Sequence, residues 1–139
     1  MSFQILLVAT GGATGAVGRF LVSLLVRSSG AGVFPWATFG VNLAGCLLMG
    51  LLIGWLWRLP PGTSEAARLF GGVGVLGGFT TFSAFSLELF QLIERRDIWP
   101  ALTYAGGSLL GGLIAFAIGL YFIRQSRHER CAAPRGEAR

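Results

Sequence analysis

The sequence predicts an all-α membrane protein of four transmembrane helices, with the third helix broken near its middle. Three observations carry this reading. First, 53% of the 139 residues are apolar, mean hydropathy is +0.68, and only 12% are charged, about half the usual globular share. Second, the apolar residues fall into four stretches, each close to the ~20 residues a bilayer requires. Third, 22 residues are glycine, about twice the ordinary frequency, which in membranes accompanies close helix–helix approach. One domain, residues 1–123, accommodates the four spans; residues 124–139 form a polar, arginine-rich tail.

The first span covers about residues 3–26. No basic residue precedes its apolar run, and the run is longer than the core of a signal peptide, so the segment reads as a retained span. Gly11 and Gly15 make a small-xxx-small face. Arg19 is a lone charge about two turns before the span ends. It either snorkels to the headgroups or serves as an anion vestibule or a donor to backbone carbonyls. After a short Gly/Ser loop, the second span runs over about 35–57. Pro35 suits a helix start, and Trp36, Trp55 and Trp57 suit interfacial belts. Asn42 lies ~9 Å inside this span. Its buried amide needs partners, either a neighbouring helix or a ligand.

The third span, about 69–93, begins with five glycines, at 71, 72, 74, 77 and 78. Each weakens a helix by roughly 1 kcal/mol relative to alanine. The β-branched Thr80 and Thr81 follow, so the helix is expected to loosen or break there. Irregular backbone at membrane depth is tolerated only where it is buried in protein or lines a cavity, which puts this segment at a central axis or a pore. If the helix resumes after Thr81, Phe82 and Phe85 share a face about 60° wide, and Thr80, Thr81, Ser83 and Ser86 make that region polar as well as aromatic. Glu88 lies one turn beyond Phe85, either as a functional carboxylate or near the interface. The fourth span, about 99–123, places Tyr104 and Ser108 on one helical face, with Gly107, Gly111 and Gly112 beside them.

All eleven basic residues are arginine, and the net charge of +5 comes largely from the tail. Beside a membrane span such a tail points to lipid headgroups and orientation, not nucleic acid. With four spans, seven arginines fall on the side of the termini and three on the other; the positive-inside rule then puts both termini in the cytoplasm. Without the tail the count is two against three, so the body itself has almost no preferred orientation and can insert both ways. Cys46 and Cys131 belong at different depths, so no disulfide is expected between them. No His/Cys/Asp/Glu cluster marks a catalytic metal site, and no nucleophile–base pair marks an enzyme.

The chemistry therefore converges on the third span. The positive edge of an aromatic ring, together with an amide N–H from Asn42, can coordinate a small anion stripped of water, in a site without fixed charge that an anion can both enter and leave. Carbonyls freed at the Gly77–Thr80 break are acceptors and suit a small hard cation such as Na⁺.

Three stretches then carry a family resemblance: G-G-A-T-G-A-V-G-R-F at 11–20, P-W-A-T-F-G-V-N-L-A-G at 35–45 and G-V-L-G-G-F-T-T-F-S-A-F-S at 74–86. They resemble the small bacterial fluoride channels of the Fluc family. The resemblance implies a four-span protein of the bacterial plasma (inner) membrane, working as an antiparallel, dual-topology dimer. Such a dimer exports fluoride passively through two pores around a central structural Na⁺. It implies Phe82 and Phe85 as the pore-lining aromatic pair, Asn42 as the pore amide, and the Gly77 and Thr80 carbonyls as Na⁺ ligands. Tyr104 and Ser108 would form part of a polar track beside Thr81 and Ser83, and Arg19 matches the arginine of the first motif. Ala37 and Ala84 depart from the family pattern without removing a proposed ligand. The arginine-rich tail is also atypical; it favours one orientation and hence a heterodimer with an oppositely oriented homologue over a homodimer.

Two other functions fit part of the sequence. A small dual-topology multidrug exporter needs a central carboxylate, typically in the first span, and that span has none. A non-transport membrane assembly protein would account for the glycine faces but not for the run T-T-F-S-A-F-S.

Overall fold

The computed structural model describes residues 1–28, 32–60 and 64–132, with the side chains of 126–132 excepted. Parts of the first two loops, the final seven residues and the side chains of His128 and Cys131 lie outside the described residues. Among the described residues, four helices are long and apolar enough to cross a bilayer: Ser2–Ser28, Trp36–Leu56, Glu65–Glu94 and Ile98–Gln125. The first two are α1 (Ser2–Ser28) and α2 (Trp36–Leu56). The third span has several pieces: α3 (Glu65–Ala67), a π-helical segment (Arg68–Leu76), α4 (Gly77–Phe79) and α5 (Phe82–Glu94). The last helix, α6, runs from Ile98 to Ala132, nine residues into the stretch read from sequence as a polar tail.

Local chemistry accounts for the boundaries. Pro35 stands immediately before α2, and its carbonyl accepts from Phe39 N–H at 3.0 Å. At the other end of the third span, Arg96 takes a left-handed conformation (φ 62°). Asp97 N–H then reaches back to Leu92 O at 3.0 Å, a six-residue closure that terminates α5 and starts α6 at once. The π-helical turn falls where Gly71, Gly72 and Gly74 give α geometry its weakest support; such turns occur in short pieces, frequently at functional sites.

Two tight helix pairs build the body. The π-helical segment and α4 pack along α1, and α6 packs along α2. Glycine permits both. A Cβ at Gly15 would collide with Val75 O and lie 2.8 Å from Phe79 N; one at Gly50 would collide with Phe116 O and lie 3.0 Å from Leu120 N. Backbone thus meets backbone, the small-residue contact that substitutes for hydrophobic drive inside lipid. The outward face is apolar: Phe3, Leu25, Leu109 and Phe122 are all exposed, as expected of surfaces solvated by acyl chains. A small aromatic core forms at one end, where Leu92, Ala101 and Tyr104 are buried against Phe34, Phe39, Phe85 and Leu89.

Gly50→Val should therefore lower stability by about 1–3 kcal/mol, the usual cost of overpacking, read as a lower Tm of the purified protein in detergent. Gly40→Ala, whose added Cβ meets nothing within 4 Å, should leave Tm nearly unchanged.

Candidate functional site

The third span is interrupted at two residues. Thr80 (φ −78°, ψ 156°) and Thr81 (φ −151°, ψ 119°) are both extended. Helical hydrogen bonding stops there, so the freed groups need other partners. Asn42, on α2, supplies two of them. Its Oδ1 accepts from Thr81 N–H at 2.9 Å and its Nδ2 donates to Thr81 O at 3.1 Å. One side-chain amide thus bonds both backbone groups of one residue, as an adjacent strand would. This differs from an amide held for an anion alone. Nδ2 carries a second proton, since a carboxamide has two N–H donors.

The same break redirects neighbouring donors. In an uninterrupted helix Thr81 N–H would serve Gly77 O, and Ala84 N–H would serve Thr80 O. Instead Thr81 N–H goes to Asn42, and Ala84 N–H goes to Thr81 Oγ1 at 3.2 Å, capping α5. Thr80 itself stays tied to the preceding turn: its N–H and its Oγ1 both donate to Leu76 O, at 3.0 and 2.9 Å. Arg19 reaches across from α1 and its Nε donates to Gly78 O at 3.4 Å. Of its sequence readings, the donor to a backbone carbonyl is the arrangement seen.

Beyond the break, Phe82 and Phe85 lie with ring centroids 5.6 Å apart and planes inclined at 35°. Asn42, Phe82, Phe85, Ser108 and Leu109 line a cleft of about 150 Å³, so residues from α2, α5 and α6 singled out in the sequence meet in one place. The Ser108 hydroxyl is buried there without a hydrogen-bond partner among the described residues, which in a folded protein calls for an explanation. Phe82 is 80% exposed, so this chain covers only one side of that ring. Ser83 turns to Thr81, with the two hydroxyls 3.2 Å apart, and Ser86 donates to Phe82 O at 2.9 Å.

Further along α5, both carboxylate oxygens of Glu88 are hydrogen-bonded. Thr38 Oγ1 donates to its Oε1 at 2.8 Å and the Tyr104 hydroxyl donates to its Oε2 at 2.6 Å. Tyr104 is fully buried, and its ring meets Phe85 at a centroid distance of 4.9 Å. Phe34 packs edge-on against it at 5.6 Å. A continuous row therefore runs from the cleft through Phe85 and Tyr104 to the Glu88 carboxylate, which opens on a small pocket of about 100 Å³ lined by Gln91 and Arg95 among others. Sequence reasoning missed Thr38. Its signal was its place one helical turn before Asn42, which puts the two on one face of α2.

Removing the clamp should be costly. Asn42→Ala leaves both polar groups of Thr81 without their partner, at roughly 1–3 kcal/mol for each buried group. A lowered Tm in detergent is the expected result, larger than that of Ser83→Ala.

Residues 6–120 match the family model described as "CrcB-like protein, Camphor Resistance (CrcB)". A protein of Novosphingobium aromaticivorans named "Fluoride-specific ion channel FluC" is 50% identical over 119 residues, covering 84% of this chain and 93% of that protein. A protein of Hyphomonas neptunium with the same name is 52% identical over 121 residues, covering 86% and 94%. One from Sphingopyxis alaskensis, again so named, is 48% identical over 118 residues, covering 85% and 93%. By a match over most of its length, and with all four membrane helices inside or overlapping it, this chain belongs to the CrcB-like family.

Proposed function

We propose that this chain is a fluoride-selective channel, through which fluoride leaves the bacterial cytoplasm passively. The protein is a multi-pass membrane protein and a transporter of ions, not an enzyme. Besides the names of its relatives, one observation carries the reading: the cleft joins an amide with a spare proton, two phenylalanine rings and a buried hydroxyl with no partner. Those are the donors and positive ring edges that a small, hard, dehydrated anion takes. The N-terminus of α5 adds the positive end of a helix dipole at the same break. No fixed cation lines the cleft, which keeps binding weak enough for release. Hydrogen fluoride enters cells as a neutral weak acid and ionises inside. A passive anion pore then lets the membrane potential expel fluoride, at roughly 2.3 kcal/mol per charge per 100 mV.

The working unit is a pair of chains in opposite orientation, either two copies or this chain and an oppositely oriented homologue. Its support is the 80% exposure of Phe82, a ring left uncovered beside half a cleft. The near-even arginine count of the body is compatible with insertion both ways, while the tail favours the heterodimer. A structural Na⁺ at the centre of the pair fits the break. The Gly77 and Thr80 carbonyls have lost their helical donors to Asn42 and Thr81, and carbonyl oxygens suit a hard cation. Two carbonyls from one chain leave the coordination shell incomplete, so a second chain would have to supply the rest. The role of this chain's residues is to fix the backbone: Asn42 holds Thr81, and Thr80 Oγ1 anchors to Leu76. Glu88, held by Thr38 and Tyr104, orients the polar row that continues from the cleft.

Phe82→Ile and Phe85→Ile should each reduce fluoride efflux from liposomes at least tenfold while leaving the assembly intact on size-exclusion chromatography. Unimpaired flux in both variants would refute the aromatic pair as the pathway. Tyr104→Phe, which deletes one of the two hydroxyls on Glu88, should slow fluoride efflux without lowering Tm as much as Asn42→Ala.

A further inference from the structure

A second concavity takes no part in the anion pathway. It lies toward the other end of α6, away from the Tyr104 cluster, as an open depression of about 420 Å³ along one face of that helix, lined by Ala117, Ile118, Leu120, Tyr121 and Arg124. Its walls are apolar and its polar groups collect at one end. There the Arg124 guanidinium lies over the Trp57 ring, 5.1 Å from the ring centre. Such a stack is attractive and holds the side chain in place. Gln125 Nε2 donates to the Tyr121 hydroxyl at 3.0 Å, and Arg58 follows Trp57 directly in the chain. These residues stand where the apolar spans stop, since α2 ends at Leu56 and the apolar part of α6 at Gln125. From Ala117 to Arg124 the helix rises roughly 10 Å. The depression is therefore an open apolar strip of the α6 surface running inward from the end of the apolar span, with the Arg124 cation at its mouth.

The geometry points to a binding site for an anionic phospholipid: one acyl chain lies in the depression and the headgroup phosphate meets the Arg124 guanidinium. Arginine pairs with phosphate oxygens through two parallel N–H donors. The contact with Trp57 restricts the guanidinium, which lowers the side-chain freedom lost on binding. The Tyr121 hydroxyl, which accepts from Gln125, still has its own proton to donate to a phosphate or glycerol oxygen. A basic groove end on a membrane span is the pattern by which anionic headgroups are selected. A zwitterionic lipid fills the depression equally well but brings its own cation to Arg124. The inference is independent of what ion the protein conducts.

The test is native mass spectrometry of the full-length protein in detergent, titrated separately with phosphatidylglycerol and phosphatidylcholine. The wild type should retain phosphatidylglycerol at lower concentration than phosphatidylcholine. Arg124→Gln should weaken phosphatidylglycerol binding about fivefold, the worth of one basic residue beside anionic lipid, and leave phosphatidylcholine unchanged. Ala117→Trp, which fills the depression, should lose both lipids. Equal retention of the two lipids by the wild type, or undiminished phosphatidylglycerol binding by Arg124→Gln, overturns the site. So does dissociation of the assembly by Ala117→Trp without loss of lipid, which would put a second chain in the depression.

Discussion

The two hydrogen bonds between the Asn42 amide and the Thr81 peptide groups are what the rest of the site depends on. A helix interrupted inside a membrane exposes backbone donors and acceptors that water cannot reach, and each unsatisfied group costs several kcal/mol. Asn42 removes that cost on both sides of one residue. Everything near the cleft follows from the extended backbone it holds. Thr81 becomes free to cap α5, α5 starts with Phe82 beside the break, and Phe85 one turn later meets Tyr104. On the other side, the carbonyls of Gly77 and Thr80 are released from the helical ladder, while Arg19 engages Gly78.

A second constraint makes the first possible. α1 and the glycine-rich half of the third span approach until backbone touches backbone, at Gly11, Gly15, Gly74 and Gly78. Gly45, one turn past Asn42 on α2, faces the Thr80 side chain with no room for a Cβ. The break is therefore held from two helices at once, α1 and α2, each by close contact and by hydrogen bonding. A packed membrane interior is not continuously deformable, so these contacts hold the break in one arrangement.

Much of this was legible in the residues, and the limits were physical. The spans follow from apolar length, and the interruption from five glycines followed by two threonines, because both are local properties of the chain. The π-helical register of Arg68–Leu76 was not legible: weak α propensity says that a helix can depart from α geometry, not which hydrogen-bond step it adopts. Asn42 was visible as a buried amide in need of partners, but its partner is 39 residues away on another helix. Glu88 was visible as a carboxylate late in the span, but the two hydroxyls on its oxygens come from other helices, Thr38 on α2 and Tyr104 on α6. The continuation of α6 to Ala132 also escaped a reading that ended the helix where the apolar run ended. A helix already formed over the span needs no fresh nucleation to continue into polar residues.

The proposed pathway is a neutral cleft, organised by the Asn42 clamp and lined by Phe82, Phe85 and Ser108, that conducts a small dehydrated anion and rejects a larger one. The most direct measurement is anion efflux from liposomes containing only the purified wild-type chain, followed with a fluoride electrode and in parallel with a chloride electrode. A fluoride-selective pathway of this kind gives rapid fluoride efflux with chloride retained. Chloride leaving at a comparable rate, or fluoride retained both with this chain alone and with a co-reconstituted, oppositely oriented homologue, would contradict it.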